Sequence, residues 1–152
     1  MTPVESVFHE VLRFETALWA EVDAQVRGRH GLALERYEVL RSVVELGGAP
    51  RVNDIAHYLA ITVGATSKLV DRLESSGYCE RRANPTDRRS SLISLTGSGA
   101  RMCADASKTF NSALEGLIGA HLSSSEQQVL VSTLQRLRGL SVPGAAAARV
   151  VA

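Results

Sequence analysis

The sequence predicts a mainly α fold with a small β-hairpin wing, a winged helix-turn-helix flanked by N- and C-terminal helices. Three observations carry that expectation. Apolar residues recur at threes and fours over most of the 152 residues. Between Arg51 and Ser75 two such stretches are separated only by Ala60-Ile61-Thr62, too short for anything but a turn. Directly afterwards the pattern changes to two short strands joined by a loop of turn formers.

From Thr2 to about Arg29 the residues Val4, Val7, Phe8, Val11, Leu12, Leu18, Trp19, Val22 and Val26 give a long amphipathic helix, which Gly31 ends. A second helix runs from about Leu34 to Leu46, with Tyr37, Leu40, Val43 and Val44 as its inner stripe. Gly47-Gly48-Ala49-Pro50 breaks the chain. Arg51 is a poor capping residue for the helix that follows, whose apolar side is Ile55, Ala56 and Leu59. Thr62 is the expected N-cap of the next helix, which packs Thr66, Leu69, Val70 and Leu73 inward and stops at Gly77. Tyr78–Arg82 and Leu92–Leu95 read as the strands of the wing.

Beyond the wing, Thr96-Gly97-Ser98-Gly99 turns the chain into a helix with Met102, Cys103, Ala106, Phe110, Ala113, Leu114 and Leu117 on one side, ending near His121. Ser123-Ser124-Ser125-Glu126 is a capping-box pattern opening a last helix with Leu130, Leu134 and Leu137. Terminal helices with apolar stripes and no sheet to cover them call for a twin. The expected division is therefore 1–32 and 97–142 for dimerisation and 33–96 for DNA reading, with an Ala-rich, loosely ordered tail over 143–152.

The helix after Thr62 presents Gly64, Ala65, Ser67, Lys68, Asp71 and Arg72 outward. Small residues near its N-terminus allow close approach to base edges in a major groove, and Lys68 and Arg72 can reach phosphate or guanine. Thr62 belongs to the same edge. Arg88 and Arg89 sit near the tip of the hairpin, suited to a narrow minor groove. Asp87 is expected to pair with Arg89 across the hairpin, leaving Arg88 for the groove, and Asp71 to pair with an arginine of the wing. Six cations stand against four anions from Lys68 to Arg89, so placement matters more than excess.

The formal net charge is only +1, which excludes a bulk polycation and makes any nucleic-acid surface local. Two cysteines without metal-like spacing, no apolar stretch long enough to span a bilayer and no leader pattern lead to the expectation of a reduced, cytoplasmic protein that makes no membrane contact.

Asp71-Arg72-Leu73-Glu74, Gly77, Asn84-Pro85-Thr86-Asp87-Arg88-Arg89 and Leu92-Ile93-Ser94-Leu95-Thr96 together resemble the end of the recognition helix and the wing of the MarR family of bacterial transcription regulators. The resemblance implies a homodimer on palindromic double-stranded operator sites and, commonly, release of DNA by a small ligand or an oxidant. A sequence-specific, ligand-responsive repressor is the expectation. A small-molecule or redox sensor, or a protein-interaction module, on the same fold is the alternative.

Trp19, the only tryptophan, reads either as core or dimer packing or as the wall of an effector pocket. A tryptophan near this place resembles the urate-responsive branch of the family, in which case Asp54 supplies a carboxylate and the effector is an aromatic or heteroaromatic anion. Cys79 and Cys103 read as small hydrophobes, since the peroxide-sensing branch carries its reactive cysteine on the first helix. His9, His30, His57 and His121 are scattered without metal-ligand spacing. No phosphate loop, nucleophile elbow or metal-hydrolase motif is present, so neither catalysis nor a cofactor is expected.

Overall fold

The structure is a computed structural model that describes residues 2–139, and the expected loose tail over 143–152 lies outside them. In chain order come helices α1 (Pro3–His30), α2 (Leu34–Glu45), α3 (Val52–Leu59) and α4 (Val63–Ser75). Strands β1 (Cys79–Ala83) and β2 (Ser91–Leu95) follow, then α5 (Gly97–Leu114), a π-helical turn (Glu115–Gly119) and α6 (Ser124–Gly139). Thr2 caps α1 in a capping box with Glu5, and Gly31 ends it in the left-handed region at φ 62°. Ala33 offers α2 no side-chain cap; Asp23 of α1 accepts the Leu34 amide at 2.8 Å instead, tying the two helices together.

α1, α2, α3, α4 and α5 surround one core, in which Val22, Val26, Tyr37, Leu40, Val43, Ile55, Val70, Leu73 and Ile93 are closed to solvent. Two polar links cross it, His30 Nε2 with Thr109 Oγ1 at 2.8 Å and Tyr37 Oη with Ser107 Oγ at 3.0 Å. The inner stripe of α2 needs one correction. Val39 is buried and Val44 is 56% exposed, because α2 is wrapped from several sides and its buried arc runs back toward Leu34.

The two strands pair antiparallel with Cys79 opposite Leu95 and Ala83 opposite Ser91. The hairpin is anchored to the body by the Ile93 amide, which donates to the Pro50 carbonyl at 2.8 Å, and by a bridge between Arg51 and Leu92. At its far end Thr96 donates its hydroxyl to Gly77 O at 2.6 Å and caps α5 by accepting the Gly99 amide at 3.0 Å. Here glycine is required: a Cβ on Gly99 would lie 1.7 Å from the Tyr78 carbonyl oxygen. Glycine 99 thus lets α5 start against the first residue of the wing.

Ser123 and Glu126 form the anticipated capping box of α6, with the Ser123 amide donating to Glu126 Oε2 at 2.8 Å. The helix before it runs on past Leu114 as a π-helical turn to Gly119, a widening that apolar spacing does not encode. Both terminal helices leave apolar side chains in solvent: Val4, Phe8, Val11 and Leu12 on α1, and Leu130, Leu134 and Leu137 on α6. No helix among the described residues is long and apolar enough to cross a membrane.

Candidate nucleic-acid interface

Helix α4 is held by its inner face. Thr66, Leu69, Val70 and Leu73 are all buried, each large apolar side chain contributing about 1.5–3 kcal/mol of burial. Thr62 Oγ1 accepts the Ala65 amide at 3.1 Å, which is the expected N-cap, and Thr66 Oγ1 donates back to the Thr62 carbonyl at 2.9 Å. At the other end the Gly77 amide reaches Glu74 O and the Tyr78 amide reaches Leu73 O, both at 2.9 Å, closing a Schellman motif. Between α3 and α4 the turn is set by Ala60 at φ 55°.

Outward, Thr62, Gly64, Ala65, Lys68, Asp71 and Arg72 are exposed and Ser67 is half-buried, as anticipated. The fold would accept a Cβ at Gly64, where nothing lies within 4 Å. A bulky residue there meets only what approaches from outside.

The wing loop is braced by side chains that carry no charge to a partner. Asn84, 7% exposed, accepts the Thr86 amide at 3.1 Å and hydroxyl at 2.8 Å through Oδ1 and donates from Nδ2 to Ser90 Oγ at 2.9 Å. Asp87 Oδ1 accepts the backbone amide of Arg89 at 3.0 Å. This corrects the expected Asp87–Arg89 ion pair: the carboxylate shapes the turn, and the Arg89 guanidinium is left to solvent.

The six cations of this unit fall into two groups. Arg81 spans two carboxylates of α4, Asp71 Oδ1 at 2.6 Å and Glu74 Oε2 at 2.5 Å, while its amide donates to Glu74 Oε1 at 3.1 Å. Asp71 therefore does pair with a wing arginine, and the pair ties β1 to α4. Arg82 is held by Glu80, whose carboxyl lies below the usual range because Arg82 donates to it. Lys68, Arg72, Arg88 and Arg89 make no ion pair among the described residues. Two are on the exposed face of α4 and two on the wing tip.

The structure does not bring Trp19 and Asp54 together. Trp19 lines a cavity of about 750 Å³ with Glu35, Glu38, Tyr58, Ile61 and Arg138. Asp54 lines a separate groove of about 420 Å³ at the foot of the wing, with Arg51, Asn84 and Asp87. Its carboxylate takes the Arg51 amide at 2.9 Å and the Arg51 guanidinium at 2.8 and 3.0 Å, and that guanidinium holds its carboxyl down at about 2. A residue three positions on thus compensates for the poor cap at Arg51.

Burial pushes the Cys79 thiol up to about 11 and raises that of Cys103, so neither is poised as a thiolate. Among the described residues no group of three or more His, Cys, Asp or Glu is placed to hold a metal ion.

Residues 32–91, from just before α2 through the wing loop, match the MarR family model. The multiple antibiotic resistance protein MarR of Escherichia coli is 29% identical over 84 residues, 55% of this chain and 58% of that protein. The alignment thus spans under two thirds of the relative's length. Sco3205 of Streptomyces coelicolor, a MarR family transcriptional regulator solved in complex with DNA, superposes with a TM-score of 0.86 at 24% identity over 95% of this chain and 93% of that one. The organohalide-sensing regulator RdhR-CbdbA1625, solved with 2,4-dichlorophenol bound, superposes with a TM-score of 0.81 at 16% identity over 91% and 81%. Residues 32–91, from just before α2 through the wing loop, thus resemble the MarR family in sequence, and the helices and hairpin follow the order of these solved neighbours.

Proposed function

We propose that the protein is a sequence-specific, ligand-responsive transcriptional regulator, most simply a repressor, that acts in the cytoplasm as a homodimer on a palindromic operator. The observation that carries this is the sorting of cations: Arg81 and Arg82 are consumed inside the unit, and Lys68, Arg72, Arg88 and Arg89 stay exposed on one helix and the neighbouring wing tip. Thr62, Gly64, Ala65 and Ser67 face base edges in a major groove, Lys68 and Arg72 its phosphates or a guanine, and Arg88 and Arg89 the flanking minor groove. The exposed apolar faces of α1 and α6 support a second copy as the partner, whose two-fold axis then sets the half-site spacing.

Segments 1–32 and 97–142 serve the dimer, 33–96 reads DNA, and no catalytic chemistry or cofactor is assigned. An effector acts by binding more tightly to a dimer whose two heads no longer match successive grooves. The Sco3205 and RdhR-CbdbA1625 complexes support a DNA-bound and a ligand-bound state for this architecture. The test is selection from random duplexes followed by competition. A palindromic consensus that outcompetes scrambled duplex by 10³-fold or more supports the reading. Enrichment of no sequence contradicts it.

A further inference from the structure

The cavity at Trp19 lies where several elements meet: α1, the Glu35–Glu38 edge of α2, the end of α3 with the turn after it, and Arg138 on α6. Its volume is that of a drug-sized organic molecule. Its apolar walls include Trp19, Tyr58, Leu59, Ile61 and Leu69, so two aromatic rings face the space. The ionisable lining is two carboxylates, Glu35 and Glu38, with one guanidinium, Arg138, and the imidazole of His57. Glu38 is the more telling of the two. Its Oε1 is buried without a hydrogen-bond donor, and the nearest cation, Arg41 Nη1, stands 3.7 Å away and stacks over Phe110. Burial raises the Glu38 carboxyl above its ordinary range.

Glu38 Oε1 is closed to the cavity as well as to solvent, so the sign of the lining is set by the two acidic side chains together. Two acidic side chains in the wall favour a positively charged nitrogen, and the faces of tryptophan and tyrosine favour the same charge. An anion would meet two carboxylates and only one guanidinium. We infer that this cavity takes an aromatic organic cation, with its ammonium or amidinium nitrogen at Glu38 and its ring against Trp19 and Tyr58. That replaces the anion expected from the resemblance, because Glu35 and Glu38, not Asp54, supply the carboxylates.

The inference rests on the ligand-responsive reading and specifies its chemistry. Leu59, Ala60 and Ile61 belong to the turn before the recognition helix and Leu69 to that helix, so an occupant touches the element that reads DNA.

The test uses a shape-matched pair, 4-tert-butylbenzylammonium and 4-tert-butylbenzoate, titrated against the full chain while the fluorescence of its only tryptophan is followed. The cation is expected to bind at least tenfold more tightly than the carboxylate. Glu38→Gln should weaken the cation about tenfold and tighten the carboxylate, a gain that misfolding cannot produce; Glu35→Gln should do the same to a lesser degree. Equal binding of the pair, tighter binding of the carboxylate, or no response to either at millimolar concentration overturns the inference. Anisotropy of operator DNA read in the same titration separates the two levels. Cation binding that leaves DNA affinity unchanged keeps the cavity assignment and removes the ligand-responsive reading.

Discussion

The recognition unit and the terminal helices handle surface in opposite ways. From Val52 to Leu95 the large apolar side chains are mostly turned inward, Tyr58 and Val63 excepted, and the cations without an ion pair stay outside. On α1 and α6 the reverse holds: Phe8 is 60% exposed, Leu12 48% and Leu134 44%. One region has unspent charge and the other unspent apolar area, and the two call for different partners. A polyanion suits the first through counterion release. A second apolar face suits the second, and a long single helix with such a stripe is not stable alone.

The largest expected effect comes from putting charge into the apolar stripe. Leu12→Glu combined with Leu134→Glu should convert a micromolar solution of dimer to monomer in sedimentation velocity and lower operator affinity by about 10²-fold or more, since each head then binds without its linked twin. A dimer that survives both changes would mean that these faces cover something else.

Where α5 starts against the wing, Gly99→Ala should destabilise the fold by on the order of 3 kcal/mol, read as a lower urea midpoint, because the new methyl overlaps the Tyr78 carbonyl. The same change at Gly64 should leave the midpoint within about 0.5 kcal/mol and alter preference among DNA sites instead. Arg81→Leu removes the clamp on Asp71 and Glu74 and leaves two carboxylates facing an apolar side chain. It should cost about 1 kcal/mol of stability and reduce DNA affinity, by releasing the wing from α4.

The smallest effect concerns Asp54. Its carboxyl is held at about 2, below its unfolded value near 3.8, so the Arg51 contact stabilises the fold fully above pH 4 and the contribution is lost as pH falls through 2. Asp54→Asn should lower the midpoint at pH 7, where the contact is fully present, and change it less at pH 2.5, so that this part of the acid dependence disappears. Urea midpoints at pH 7 and 2.5 for the two proteins measure it.

Periodicity and caps made most of this fold legible, because they are local. The stripe of α4, the Thr62 and Ser123 caps and the stops at Gly31 and Gly77 follow from residues within four positions of one another. What stayed hidden depends on neighbours distant in sequence. Val39 rather than Val44 is buried because of where α3, α4 and α5 lie against α2. The cap at Arg51 depends on the Asp54 carboxylate reaching back to accept the Arg51 amide and guanidinium, which the capping preference of Arg51 does not anticipate. The exposed cations were visible as a list, but which two were spent on α4 and Glu80 was not. The acidic lining of the cavity arises where α2 meets the turn after α3, more than twenty residues later, so no local window contains it.

Fluorescence anisotropy over a salt series, comparing the wild type with Arg88→Ala on the selected duplex, tests the central claim most directly. If Arg88 enters the minor groove and displaces counterions there, the variant should bind more weakly across sequences and its log–log salt slope should be smaller by about one unit. Unchanged affinity and an unchanged slope would contradict the claim that the exposed cations of α4 and the wing form the DNA-binding surface.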